Sequence, residues 1–138
     1  MKPRVILPIL AFLMITLGVA CKKSSDSKEP YDLTNTEWQG EARMYDRDFK
    51  PVKVQFKENK KLEISFVAVD DPSSKFTFTG TWQKAEDSDN VIFEFIKGLE
   101  TVTSTATLTE GNTKMADGKF KSSGDPNQDA GSFNISRQ

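Results

Sequence analysis

Paired acidic residues are the first side chains in this sequence whose spacing could support acid–base chemistry. The pairs are Asp46 with Asp48, Asp70 with Asp71, and Asp87 with Asp89. A catalytic carboxyl pair needs an environment that separates its two pKa values, and that environment is usually burial. Each pair lies in a predicted turn, where aspartate is common because its side chain bonds nearby backbone. We therefore interpret the pairs as solvated turns.

The rest of the chain supplies little other catalytic machinery. It contains no histidine, which removes the commonest general base and a common metal ligand. Residues 125–129 place oxygen ligands at alternate positions, as a calcium loop does at its start. The match then ends, because Ala130 replaces the required glycine and Ser136 the bidentate glutamate. Without a nucleophile elbow or a phosphate-binding glycine loop, we expect no catalytic residue, no metal, no cofactor and no enzymatic activity.

The charge balance argues against a nucleic-acid partner. The sequence has 19 Lys and Arg residues against 20 Asp and Glu residues, a formal net charge of −1. Nucleic-acid-binding domains usually carry a basic patch or stripe, and none is evident here.

The single cysteine, Cys21, is informative because of what precedes it. Residues 1–20 have a positively charged start, an apolar run and small residues before the cysteine, which are the parts of a secretory signal peptide. Residues 17–21, Leu-Gly-Val-Ala-Cys, resemble a bacterial lipobox. The resemblance implies cleavage before Cys21 and lipid attachment on it. A retained transmembrane anchor and ordinary cleavage that leaves a free thiol are the alternatives.

A short polar segment follows the cysteine. Residues 21–32 are predicted to be a flexible tether, because a stretch almost without apolar side chains cannot bury enough surface to fold. Such a tether is similar to that of many outer-membrane lipoproteins. The sequence thus predicts a lipid anchor in the cell envelope, in the outer membrane of a Gram-negative bacterium, on either the periplasmic or the surface face.

Residues 33–138 read as one all-β domain. Apolar side chains recur at every second position in eight short runs, for example Val52, Val54 and Phe56, and this period of two is typical of strands. Turn residues separate the runs at hairpin-length intervals. An eight-stranded antiparallel up-and-down meander removes its exposed edges by closing on itself. We predict a small barrel, with a β-sandwich as the alternative.

The first strand carries a family resemblance. Residues 33–40, Leu-Thr-Asn-Thr-Glu-Trp-Gln-Gly, are similar to the opening strand of lipocalin-like proteins, which begin with a Gly-x-Trp motif. Here Thr36 stands at the glycine position, and Arg137 is the possible counterpart of the family's late arginine. The resemblance implies a calycin-type barrel in which Trp38 plugs one end, and it permits the binding of a small molecule.

The inward-facing positions leave two functions open. The predicted inward rings are Trp38, Phe56, Phe66, Phe76, Phe78, Trp82, Phe93, Phe95, Phe120 and Phe133. Eight strands enclose a space that side chains can fill or that can hold one small ligand. The first hypothesis is a lipid-anchored protein that binds a small apolar ligand at the barrel mouth, lined by Trp38, Phe78 and Trp82. The alternative is a structural or inhibitor-like envelope lipoprotein with a filled core and a protein partner.

Overall fold

A computed structural model describes residues 31–138, with the side chains of residues 125–128 excepted. The predicted signal peptide, Cys21 and most of the predicted tether lie outside these residues, as do the side chains that begin the calcium-like loop. The strands are β1 Thr36–Met44, β2 Arg47–Phe56, β3 Lys61–Ala68, β4 Lys75–Lys84, β5 Asn90–Lys97, β6 Glu100–Thr109, β7 Lys114–Ser122 and β8 Asp125–Arg137. One short 3-10 turn, Glu58–Lys60, joins β2 to β3. Within residues 31–138, no helix is long and apolar enough to cross a membrane.

Alternation of apolar and polar side chains produces the strands and orients them. In β3 the side chains of Leu62, Ile64 and Phe66 are buried, while the residues between them are half-buried on the outer face. Successive side chains of a strand point to opposite faces, so each run of apolar residues turns towards one interior. The buried apolar residues of all eight strands belong to a single core.

Every strand pairs antiparallel with its neighbour in the chain, and β8 returns to pair with β1. The closing ladder runs from Trp38 opposite Arg137 to Met44 opposite Gly131. The predicted eight-stranded up-and-down barrel is confirmed, and the β-sandwich alternative is wrong. A closed antiparallel barrel of this size is compatible with a lipocalin-like barrel.

The alternation predicted for β7 is wrong at its start. The alternation of Ala116, Gly118 and Phe120 predicts that Ala116 faces inward, but Met115 is the buried residue and Ala116 is only half-buried. Asp117 has a φ of 52°, and the pairing with β8 shifts between Met115 and Gly118. A bulge of this kind adds a residue to one strand and changes which side chains face inward.

The last turn also differs from the prediction. The residue types Gly-Asp-Pro-Asn at positions 124–127 predict a turn there, but β8 already begins at Asp125. The turn is formed by Ser123 and Gly124, and the backbone N–H of Ser123 donates to the carbonyl of Thr101.

The barrel has two distinct ends. At one end, the turns of residues 57–60, 85–89 and 110–113 lie beside the segment 31–35, through which the chain enters β1; we call this the closed end. At the opposite end lie the turns of residues 45–46, 69–74, 98–99 and 123–124; we call this the open end. The open-end turn of Tyr45 and Asp46 has a positive φ at both residues, 48° and 63°, as a tight two-residue hairpin requires.

Candidate functional site

The closed end is filled by Trp38. Its indole is fully buried, and its Nε1 donates to Thr36 Oγ1 at 2.9 Å. The Thr36 hydroxyl in turn donates to the carbonyl oxygen of Leu33 at 2.6 Å. Leu33 is also fully buried, so the entering chain is packed against the core. This end of the barrel therefore has an apolar plug in which the Trp38 indole N–H and the Thr36 hydroxyl are both hydrogen-bonded.

Trp82 completes the same plug. Its side chain is buried, its Nε1 donates to the Lys57 carbonyl oxygen at 3.2 Å, and its ring centroid is 5.6 Å from that of Phe56. Lys60 Nζ lies 3.9 Å from the Trp82 ring centroid, a cation–π contact on the outer side. Arg137, the strand partner of Trp38, places its guanidinium 5.6 Å from the ring centroid of Tyr31.

Aromatic rings fill the middle of the barrel. Phe78 stacks on Phe95 with ring centroids 5.4 Å apart, and Phe120 lies 4.8 Å from Phe133. Phe66 contacts this group through Phe120, at 6.1 Å. Ring pairs at these separations are favourable beyond the area that they bury, so these rings stabilise the middle of the barrel by packing against one another.

The open end is different, because the core does not reach the rim there. A cavity of about 220 Å³ opens at this end. Its lining residues are Met44, Tyr45, Arg47, Phe49, Phe66, Phe76, Phe78 and Lys97. Phe66 and Phe78 form its inner part, and Phe76, which is 40% exposed, stands at its rim.

The aromatic wall of the cavity is held in place by edge-to-face contacts. Phe49 meets Phe66 at 5.4 Å and Phe76 at 6.3 Å between ring centroids, and Phe66 meets Phe78 at 6.1 Å. The cavity is therefore largely preformed, as ligand sites usually are.

Two cations border the cavity. Arg47 lies over the wall, with its guanidinium carbon 5.8 Å from the Phe49 centroid and 5.9 Å from the Phe76 centroid. Its Nε donates to Asp70 Oδ1 at 2.9 Å. Lys97 Nζ lies 4.4 Å from the ring centroid of Tyr45. Both charged residues that line the cavity are thus cationic.

Tyr45 connects the hairpins across the mouth. Its hydroxyl donates to Glu100 Oε2 at 3.1 Å, and the same oxygen accepts from the Ser122 hydroxyl at 2.8 Å. These bonds join the β1–β2 hairpin to the start of β6 and the end of β7. Tyr45 is 49% exposed and Phe76 is 40% exposed, so both rings are accessible to solvent at the mouth.

The structure divides the predicted ligand-lining residues between the two ends. Phe78 lines the cavity, whereas Trp38 and Trp82 lie in the closed-end plug. Phe78 and Trp82 point inward from the same strand, but they lie four positions apart, which is about 13 Å along the strand. A common face therefore did not mean a common site.

Several lining residues were not selected from the sequence as ligand contacts. Phe49 follows a hairpin turn and is separated from the run at Val52 by a shift in the β2–β3 pairing. The alternation of that run therefore does not predict that Phe49 faces inward. Phe76 could be identified from the sequence as a lining residue, because it alternates with Phe78 on the predicted inner face. The sequence predicts that Arg47 lies in the turn between Asp46 and Asp48, but β2 begins with it.

Of the paired aspartates, Asp71 bonds within its own turn, as the interpretation predicts, whereas Asp48 lies in β2 and Asp70 pairs with Arg47. Asp71 Oδ1 accepts from the Ser73 hydroxyl at 2.6 Å and its Oδ2 accepts from the Ser74 hydroxyl at 2.5 Å. These two bonds, followed by one from the Ser73 backbone N–H, lower the pKa of Asp71. Among residues 31–138, no group of three or more His, Cys, Asp or Glu side chains could hold a metal ion.

In comparisons with known proteins, no protein-family model matches this chain, and no curated protein matches it significantly. The residues of the open-end cavity are therefore the basis for any proposal about function.

Proposed function

We propose that this protein is a non-enzymatic binding protein that takes a small apolar ligand into the open-end cavity. One observation carries the proposal: an aromatic wall surrounds an accessible cavity at one end of a barrel whose other end is plugged. An apolar ligand would cover Phe76, Phe78 and Met44, and each square ångström of apolar surface removed from water contributes about 25 cal/mol. The lipocalin-like character of the first strand supports the same function.

We further propose that the chain is a lipoprotein of the outer membrane, anchored through Cys21. The lipobox-like segment before Cys21 and the polar residues behind it support this. Two or more acyl chains anchor a protein stably without a spanning helix. Because the chain enters the barrel at the closed end, such an anchor would be attached to the barrel at the end opposite the mouth. Mass spectrometry of the mature N-terminus tests this: a diacylglyceryl adduct on Cys21 is expected, and an unmodified thiol contradicts it.

The binding proposal is tested with a neutral apolar probe. Full-length protein in lipid nanodiscs is titrated calorimetrically with 4-phenyl-1-butanol, and empty nanodiscs supply the reference. We expect saturable binding at one site per chain. The Phe76→Ala variant should weaken binding about tenfold, since part of the burial of one aromatic ring is lost.

Ile96→Ala is the matched control for that variant. Ile96 is an exposed apolar residue near the open end that does not line the cavity, so its truncation should leave the affinity unchanged. Binding no greater than in empty nanodiscs, or an equal loss in both variants, would contradict the proposal.

A second candidate function is a protein contact in the cell envelope, and one observation favours it. Val69, Ile96 and the fully exposed Leu99 all lie towards the open end, although large apolar side chains are costly to leave in water. A protein partner would cover them. Capture of one stoichiometric envelope protein that is lost in Leu99→Ser and retained in Lys53→Ser is expected for this function. Equal capture by both variants contradicts it.

A further inference from the structure

We infer that the ligand of the open-end cavity is a small amphiphile with one carboxylate head. Lys97 and Arg47 hold the carboxylate, while the apolar part of the ligand contacts the aromatic wall. The inference rests on the proposed binding function and gives it a ligand class.

The first argument is the sign of the charge around the cavity. Its lining contains two cations, Arg47 and Lys97, and no acidic side chain. Every other lining residue is apolar or aromatic. A neutral apolar ligand would gain nothing from two charges at the rim, whereas a carboxylate would gain charge-assisted hydrogen bonds, which are stronger than those between neutral groups.

The second argument is that Lys97 is not neutralised by an ion pair. Among the described side chains, no carboxylate lies within 4.0 Å of Lys97 Nζ. Its cross-strand neighbour Glu100 is engaged by the hydroxyls of Tyr45 and Ser122 instead. The Lys97 ammonium is therefore a cation at the mouth with its charge available to an incoming anion.

Arg47 contributes differently, because it is fixed. Asp70 engages its Nε, and its guanidinium carbon lies 5.8 Å from the Phe49 ring centroid and 5.9 Å from that of Phe76. Arginine carries five N–H donors, so the bond to Asp70 leaves the terminal N–H groups for a second carboxylate. This arrangement orients the arginine without consuming its capacity to donate.

The burial of the lining residues indicates how the ligand is oriented, and the volume of the cavity limits its length. Phe66 is buried at the inner part of the cavity, while the Arg47 side chain is 36% exposed, so the head lies at the rim and the apolar part inside. An engineered apolar cavity of about 150 Å³ holds one benzene ring. The cavity of about 220 Å³ therefore suits one ring or a short acyl chain, not a long-chain lipid.

The test compares two probes that share one carbon skeleton. Full-length protein in nanodiscs is titrated with 4-phenylbutyrate and, separately, with 4-phenyl-1-butanol, against empty nanodiscs. We expect the carboxylate to bind about tenfold more tightly, a partial charge-assisted gain at a solvent-exposed rim. Its advantage should shrink at high salt, where exposed charges are screened.

Paired variants locate the effect. Lys97→Met with Arg47→Met keeps the aliphatic stems and removes both charges, so the ratio of the affinities for the carboxylate and the alcohol should fall to about one. Lys53→Met with Lys119→Met removes the same net charge from exposed lysines outside the cavity, and it should keep the preference. Cooperative thermal unfolding confirms that both variants are folded.

The outcomes separate the two proposals. If neither probe binds above the nanodisc reference, the binding function itself is overturned. If both probes bind wild-type protein equally, and Phe76→Ala weakens both, the function stands and the carboxylate inference is overturned. A preference that survives in the Lys97→Met, Arg47→Met variant also overturns it.

Discussion

The two ends of the barrel use aromatic residues in opposite ways. At the closed end, Trp38 and Trp82 are buried and both indole N–H groups have acceptors. At the open end, Phe76 stands at the rim of a cavity and Tyr45 extends across the mouth. The same alternating strands form both ends, so the strands alone do not decide which end is filled.

The segment that enters the barrel accounts for the difference. Leu33 and Tyr31 pack against the core at the closed end. The Leu33 carbonyl oxygen accepts from both the backbone N–H and the hydroxyl of Thr36. Among the described residues, no comparable segment covers the open end, which is bounded by hairpins. In this barrel, the cavity with the aromatic lining lies at the end that the entering segment does not cover.

Removing the closed-end plug should have the largest effect on the free energy of unfolding. Trp38→Ala should lower the free energy of unfolding by about 3–5 kcal/mol, because a fully buried large side chain leaves a cavity behind. Urea denaturation followed by circular dichroism measures this. A loss below about 1 kcal/mol would mean that the closed end is not packed as described.

Removing one buried hydroxyl at the closed end should have the next largest effect. Thr36→Val keeps the shape but leaves the Trp38 indole N–H without its acceptor, and it should cost about 1–3 kcal/mol. Tyr45→Phe is the counterpart at the open end and should cost about 0.5 kcal/mol or less, since water replaces the exposed bond to Glu100. Equal costs in denaturant unfolding would contradict the distinction between the ends.

Truncation at the cavity rim should cost little stability. Phe76 is 40% exposed and one side of its ring faces the cavity, so Phe76→Ala should cost about 1 kcal/mol or less. The same variant is expected to lose ligand affinity, which separates a binding residue from a core residue. An unfolding penalty close to that of Trp38→Ala would place Phe76 in the core instead.

The smallest expected difference concerns one aspartate at each end. Hydrogen bonds from the Thr34 backbone and hydroxyl lower the pKa of Asp32, and the Ser73 and Ser74 hydroxyls lower that of Asp71, in each case below the ordinary value of 3.8. A depressed folded-state pKa stabilises the fold above pH 3.8, and this contribution is lost as the pH falls through the lowered pKa.

Carboxyl NMR titrations measure both groups. Thr34→Ala should return the Asp32 midpoint towards 3.8 without moving that of Asp71, and Ser73→Ala should do the reverse. Midpoints at or above 3.8 in the unmodified protein would show that these turn bonds do not form in solution.

The sequence predicted the barrel because its signal is local and repeated. The alternation through residues such as Leu62, Ile64 and Phe66 specifies a face at every strand, and an eight-strand meander has closure as its simplest solution. Bulges weakened this signal, because at Asp117 and near Pro51 an irregular residue reverses which neighbours face inward. Those shifts depend on the partner strand, which a single strand's pattern does not contain.

The site was harder to predict than the fold, because alternation encodes a face but not a height along the barrel. Phe76 and Trp82 share the inner face of β4 and lie near its opposite ends. Deciding which of them borders a cavity requires knowing which rim the segment 31–35 covers. Lys97 and Arg47 become neighbours of that cavity only when distant hairpins meet at one end.

Methionine methyl groups report on the two ends in a single experiment. The chain has four methionines, and Met44 lines the open-end cavity while Met115 is buried near the closed end. On titration of full-length protein with 4-phenyl-1-butanol, the account predicts a saturable shift of the Met44 methyl signal, with Met115 and both indole N–H signals unmoved. Saturable shifts of Met115 or the indoles with Met44 unchanged, or no saturable shift at all, would contradict it.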